Sequence, residues 1–220
     1  MHIKTTGIVL YKRATGDNDS IVTILTDDYG VLGCYLKGAP KIASSTSAPT
    51  QQFCYSSFVL FKNRERYIID SAESIEPFLK LRGDVVNLSL ANYFGEIARE
   101  LCSDAGSREQ LRLLLNTLYL LQTGKRSGEF LKSVFEMRML SLTGYLPDFS
   151  ECCECGDACD DGAYFYYADS VIRCKKCAPG DSEEATALTP SLLAALRHIV
   201  YSPMDRLFSF DLTGESADML

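Results

Sequence analysis

Along the first 76 residues apolar side chains come in short, partly alternating runs. Thr6–Tyr11, Ile21–Leu25, Val31–Lys37, Phe53–Phe61 and Arg66–Ser71 are rich in β-branched and aromatic residues. Three of the intervals between them are turn formers: Gly16-Asp17-Asn18-Asp19, Asp27-Asp28-Tyr29-Gly30 and Lys62-Asn63-Arg64-Glu65. A period of two bounded by Gly, Asp and Asn predicts strands joined by tight turns. Residues 38–50 hold Ser, Pro and Ala without apolar periodicity and predict a loop. Five short strands in so short a stretch predict a small closed barrel of the OB type.

Near Pro77 the period lengthens to that of a helix. Asp84 is placed to cap a helix with Val86, Leu90, Tyr93, Phe94, Ile97 and Leu101 on one face. Ser107 with Gln110 has capping-box spacing and opens a second helix, whose stripe is Leu111, Leu114, Leu115, Leu118 and Leu121 and whose stop is Gly124. A third helix is predicted over 129–142, with Phe130, Val134, Phe135 and Leu142 inward. Thr189-Pro190 reads as N-cap and first residue of a fourth, running from Leu192 to Val200. The fold class is therefore α+β: a five-stranded OB-type barrel over 1–78, then an all-α domain over 79–220.

Between the third and fourth helices lie two cysteine pairs, Cys152-Cys153-Glu154-Cys155 and Cys174-Lys175-Lys176-Cys177. Each pair presents two thiolates on one side of a turn, and two such turns supply the four soft ligands of a structural zinc ion. The preferred ligands are Cys152, Cys155, Cys174 and Cys177, in a module at about 150–180. Cys153 and Cys159 are nearby thiols, and Cys155 with Cys159 also has ligand spacing. Four thiolates leave no open coordination position, so the role expected is structural. Tyr164–Tyr167 are expected to pack over the module.

Composition narrows the setting. No run of eighteen apolar residues occurs, so no membrane span is expected. The N-terminus leads straight into a strand pattern without a signal-peptide profile. A cytoplasmic, reducing location follows, in which paired cysteines favour metal over disulfides. The net charge of −7 is uneven: residues 1–66 hold eight basic and five acidic side chains, a net of +3, and the rest carries −10. The basic residues on or beside predicted strands, Lys12, Arg13, Lys37, Lys41, Arg64 and Arg66, are the candidate phosphate contacts, with Tyr35, Tyr55 and Tyr67 available for base stacking.

Enzyme signatures are weak. His2 and His198 stand alone, and Gly124-Lys125-Arg126-Ser127 lacks the glycine pattern of a phosphate loop. Asp17 and Asp19 read as turn residues, and Cys34, Cys54 and Cys102 as core. Nothing brings together a nucleophile, a base and an oxyanion site.

Several segments in order resemble the RecO recombination-mediator family of bacteria. They are Thr6–Leu10, Asp19–Thr26, Tyr29-Gly30, Leu36–Lys41, Asp70–Glu73, Phe135–Leu140, Gly144–Asp148 and the two cysteine pairs. The resemblance implies a non-catalytic DNA-repair factor that binds single- and double-stranded DNA and anneals complementary strands. It implies partners as well: RecR, with which members help load RecA, and the acidic tail of single-strand-binding protein (SSB). On it, Lys37 and Lys41 match the basic positions of the Lys-Gly-Ala motif, and Arg138 matches the basic position in the helix before Gly144-Tyr145, there to serve either the acidic tail of a protein partner or a helix salt bridge. The chain departs from the family in its polar segment Ser45–Pro49, and members commonly carry a further helix beyond position 220. The alternative function is a protein-interaction adaptor whose barrel binds peptide.

Overall fold

The computed structural model describes residues 1–15, 19–38, 46–64, 66–102, 107–178 and 185–211. They form two compact units, 1–131 and 132–220. In the first, five strands close into a barrel: β1 (His2–Thr15), β2 (Asp19–Thr26), β3 (Gly30–Leu36), β4 (Tyr55–Asn63) and β5 (Arg66–Glu76). The order is β1-β2-β3-β5-β4, returning to β1, with β3 and β5 parallel and the other pairs antiparallel. The barrel closes at a short parallel seam, where Cys34 pairs with Tyr67 and Tyr35 with Ile68. Alternation turns Ile3, Val9, Val22, Ile24, Leu32, Cys34, Phe58, Leu60 and Ile69 into a shared interior.

The strands run longer than the apolar runs predict, because polar ends such as Lys12–Thr15 and Ala72–Glu76 still pair. Phe53, expected to start a strand, precedes β4 in a turn with φ 59°. Its N–H bonds the Val9 carbonyl at 2.8 Å, and its ring is buried. Residues 46–50 of the expected loop form a turn in which the Thr50 hydroxyl donates to the Thr46 carbonyl at 2.7 Å. Residues 39–45, including Lys41, and 16–18, including Asp17, lie outside the described residues.

A 3₁₀ turn (Leu79–Gly83) leads to α1 (Val85–Leu101), capped as expected by the Asp84 carboxylate, which accepts from the Asn87 N–H at 2.8 Å. The buried face of α1 differs from the predicted stripe: it is Ala91, Phe94, Gly95 and Ala98, while Val86 is 67% exposed. The helix lies close to the barrel, and a Cβ on Gly95 would sit 3.5 Å from the Phe53 ring. Small residues permit that approach, so they line the interface in place of the larger ones. The next helix, α2 (Arg108–Thr123), ends at Gly124 with φ 63°. Its expected capping box does not form: the Ser107 hydroxyl bonds the Cys102 thiol and makes no capping bond. Arg108 instead ties the helix start to the β2–β3 turn through Asp27, at 3.0 and 3.1 Å.

Helix α3 (Gly128–Leu142) buries Leu131, Val134, Phe135, Arg138 and Met139; Phe130 and Leu142 are only half-buried. In the second unit, β6 (Ala163–Tyr166), β7 (Val171–Cys174) and β8 (Ala185–Leu188) form a three-stranded sheet in the order β7-β6-β8. Its four-residue strands were too short to stand out in the sequence. The last helix, α4 (Pro190–Tyr201), is capped by the Thr189 hydroxyl, which accepts from the Leu192 N–H at 3.2 Å. Leu192, Leu193, Leu196 and Val200 share one core with Phe149, Ile172, Cys152, Cys159 and Cys174.

Candidate nucleic-acid interface and metal centre

Strand register assembles the outer surface of the barrel. Arg13 on β1 pairs with Ile21 on β2, Ile21 with Tyr35 on β3, and Tyr35 with Ile68 on β5. Paired residues share a face, so these four side chains form a row across four strands, opposite in pleat to the buried Val22 and Cys34. Tyr35 is central and 38% exposed. Tyr11, two residues before Arg13, flanks the row at 48% exposure, and Gly33 lies beside Tyr35 without a side chain to obstruct it. The Arg66 guanidinium sits 5.7 Å from the centroid of the Tyr35 ring. Lys37, exposed, follows two residues after Tyr35, and the next N–H, of Gly38, donates to the Asp19 carboxylate at 2.8 Å. That bond fixes the point at which the chain leaves β3.

The structure thus brings Arg13, Lys37 and Arg66 to the edges of one aromatic and apolar face. Arg64 is exposed in the β4–β5 turn at φ 55°. Lys12 belongs to the opposite pleat from Arg13; its ammonium donates to the Thr50 hydroxyl at 3.1 Å, and burial lowers its pKa. Of the three tyrosines expected to stack, Tyr35 faces outward. Tyr67 is half-buried against the barrel core with Lys62 above its ring at 5.1 Å, and Tyr55 is half-buried, paired with Ile8 and Glu76. Sequence reading missed Tyr11, Ile21 and Ile68 on this face. The i, i+2 spacing of Tyr11 from Arg13 was the available signal; the isoleucines resembled core.

In the second unit each cysteine pair is closed by backbone bonds. Gly156 N–H donates to the Cys152 carbonyl at 2.9 Å, and Cys177 N–H donates to the Cys174 carbonyl at 3.1 Å. The Sγ atoms of Cys152, Cys155, Cys174 and Cys177 lie within 4.8 Å of one another, with Cys155 and Cys174 at 3.8 Å. Bonds of about 2.3 Å from zinc to sulfur in a tetrahedron require sulfurs about 3.8 Å apart, so the donor set fits a tetrahedral soft divalent ion. Two thiols stand outside the group: Cys153 is exposed and bonds Arg173, and buried Cys159 sits 3.3 Å from the Asp157 carbonyl.

Protonation within the four thiols is uneven. Burial pushes Cys152 up, but backbone N–H groups of Cys174, Cys155 and Glu154 outweigh it and lower the thiol to about 6. Hydrogen bonding to Cys155 and Cys174 raises Cys177 to about 12. Metal-free, the cluster holds protons that an incoming cation displaces. Arg138 is only 8% exposed. Its guanidinium donates to the carbonyls of Ile199, at 3.2 Å, and of Val200, in the last turn of α4. It occupies the cationic position that a helix C-terminus favours.

The strand order, the aromatic and basic outer face and the cysteine cluster define an OB-barrel protein with a helical region and four clustered thiols placed to hold a metal ion. Comparison with known proteins carries this to a family. The family models described as "Recombination protein O N terminal" and "Recombination protein O C terminal" match residues 1–78 and 82–220. A protein of Acetivibrio thermocellus named DNA repair protein RecO is 36% identical over 220 residues, all of this chain and 87% of that one. Proteins of the same name from Alkaliphilus metalliredigens and Caldicellulosiruptor bescii are 33% and 34% identical, over 83% and 80% of this chain and 74% and 72% of theirs. The chain belongs to the recombination protein O family, and its role lies in DNA repair and recombination. Among the described residues no helix is long and apolar enough to cross a membrane.

Proposed function

We propose that this chain is a non-catalytic recombination mediator that binds DNA on the outer face of its barrel. The observation that carries the reading is the row Arg13–Ile21–Tyr35–Ile68, bordered by Lys37 and Arg66. A flat aromatic centre accepts a base by stacking, and cations at its margin accept the phosphates on either side. The β2–β3 face, together with the loops after β1 and between β4 and β5, is where OB barrels take oligonucleotides. Arg64 adds an exposed cation in the β4–β5 turn; the expected phosphate contact Lys41 lies outside the described residues, and Lys12 holds the turn at Thr50. Stacking tolerates any base, which suits a protein that handles strands of arbitrary sequence and anneals complementary ones.

Family membership supports the wider role: cooperation with RecR in loading RecA onto single strands covered by SSB, with a contact to the SSB tail, in the cytoplasm. All nine cysteines are free of disulfides, in keeping with a reducing compartment. The four clustered thiols hold zinc in a structural role, with Cys152, Cys155, Cys174 and Cys177 as ligands. Arg138, turned to the carbonyls of α4, is assigned to holding that helix, and the partner contact is left to exposed residues.

The half-buried Ile21 and Ile68 on the same face favour a second reading, an adaptor that binds peptide. Labelled single-stranded DNA titrated against wild type and Tyr35→Ala separates the two. Loss of one stacked base weakens binding by about 1–3 kcal/mol. Wild-type affinity in Tyr35→Ala, or no binding by either protein, contradicts the DNA reading.

A further inference from the structure

Arg197 reaches from the middle of α4 to the turn that carries Cys152 and Cys155. Its Nε donates to the Phe149 carbonyl at 2.7 Å, and its Nη2 donates to the carbonyls of Ser150, at 3.0 Å, and Ala158, at 2.5 Å. Phe149 and Ser150 precede the first cysteine pair and Ala158 follows it, so one guanidinium holds both limbs of the turn. The fourth neighbour, Asp160, is 3.9 Å from Nη1 and 87% exposed, a distant and solvated partner.

The turn needs an external hold. Residues 149–162 contain no helix or strand and carry Glu151, Glu154, Asp157, Asp160 and Asp161. Four thiolates exceed the charge of a divalent ion by two, and these carboxylates repel them further. The helix that supplies the cation is itself fixed, because Leu192, Leu193 and Leu196 are buried in the core that contains Cys152 and Cys174. A planar fork of donors spans three carbonyls at once; a lysine ammonium is a point charge and does not.

We infer that Arg197 is the positioning residue of the metal centre: its guanidinium sets the Cys152–Cys155 turn in ligating geometry before the ion arrives. The inference rests on the reading that the four thiols bind zinc. It sets the affinity of the site through a residue that touches no ligand sulfur, the way outer-shell partners tune other metal sites.

The test is metal binding by the full chain, read as cobalt(II) uptake through its thiolate charge-transfer absorption and as zinc transfer to a chelator of known affinity. Wild type, Arg197→Gln, Arg197→Lys and Asp160→Asn are compared. Arg197→Gln is expected to bind about 10–100-fold more weakly and to release zinc faster, with the melting of the metal-free protein lowered less than that of the metal-loaded protein. Arg197→Lys is expected to recover little of the loss, and Asp160→Asn to bind no more weakly than wild type. Wild-type affinity in Arg197→Gln overturns the inference. So does equal destabilisation of metal-free and metal-loaded protein, which marks a general packing role. Should Arg197→Gln not fold, wild-type affinity in Arg197→Lys is the overturning result. If wild type takes up neither cobalt nor zinc, the metal reading itself falls and this inference with it.

Discussion

Tyr35 and Cys177 show how neighbours set the chemistry of single side chains. Tyr35 is an ordinary strand residue until pairing sets Ile21 and Ile68 beside it and Arg66 over its ring. Cys177 is an ordinary thiol until its S–H donates to Cys155 and Cys174, which holds its proton and raises it to about 12. Cys155 is raised as well, while Cys152 falls to about 6. At neutral pH Cys155 and Cys177 are therefore protonated in the metal-free protein, and binding of a divalent ion expels their protons. Raised thiol pKa values make protons competitors, so apparent metal affinity should increase with pH from about 6 upward and fall in acid. Calorimetric titration in buffers of different ionisation enthalpy should find about two or more protons released per ion at pH 7. Release of none would contradict this account of the cluster.

Elements were legible where a local signal dictated them. The Asp84 and Thr189 caps, the Gly124 stop and the five strand runs were readable because each depends on residues within a turn of one another. Asp84→Ala should lower stability by about 1 kcal/mol in urea unfolding, since it leaves the Asn87 N–H without its partner. No change in the midpoint would show that the cap contributes nothing. The α1 stripe and the Ser107 box were misread because tertiary partners decide them: Phe53 selects the small face of α1, and Cys102 draws the Ser107 hydroxyl away. Likewise, spacing alone left Cys153 and Cys159 open as ligands, and only the folded positions of the sulfurs separate them from the clustered four. The burial of Arg138 against carbonyls sixty-one and sixty-two residues away has no local signature at all.

At the scale of the whole chain, charge and fold divide the labour. The first 66 residues carry a net +3 and the remainder −10. Long-range attraction for nucleic acid is therefore weak overall, and under the proposed DNA reading the barrel face supplies binding locally through Arg13, Lys37, Arg64 and Arg66. The polar segment Ser45–Pro49 adds no cation to that face. Binding of this kind depends on counterion release, and each neutralised phosphate of a single strand steepens the salt dependence by about 0.7 in log–log slope. Three or four contacts give a slope of about −2 to −3. The decisive measurement is the salt dependence of single-stranded DNA affinity for wild type and for Lys37→Ala with Arg66→Ala. The account predicts that the double variant stays folded, binds more weakly and loses about 1.4 of the slope. Equal slopes, or affinity insensitive to salt in wild type, would contradict DNA binding on the barrel face.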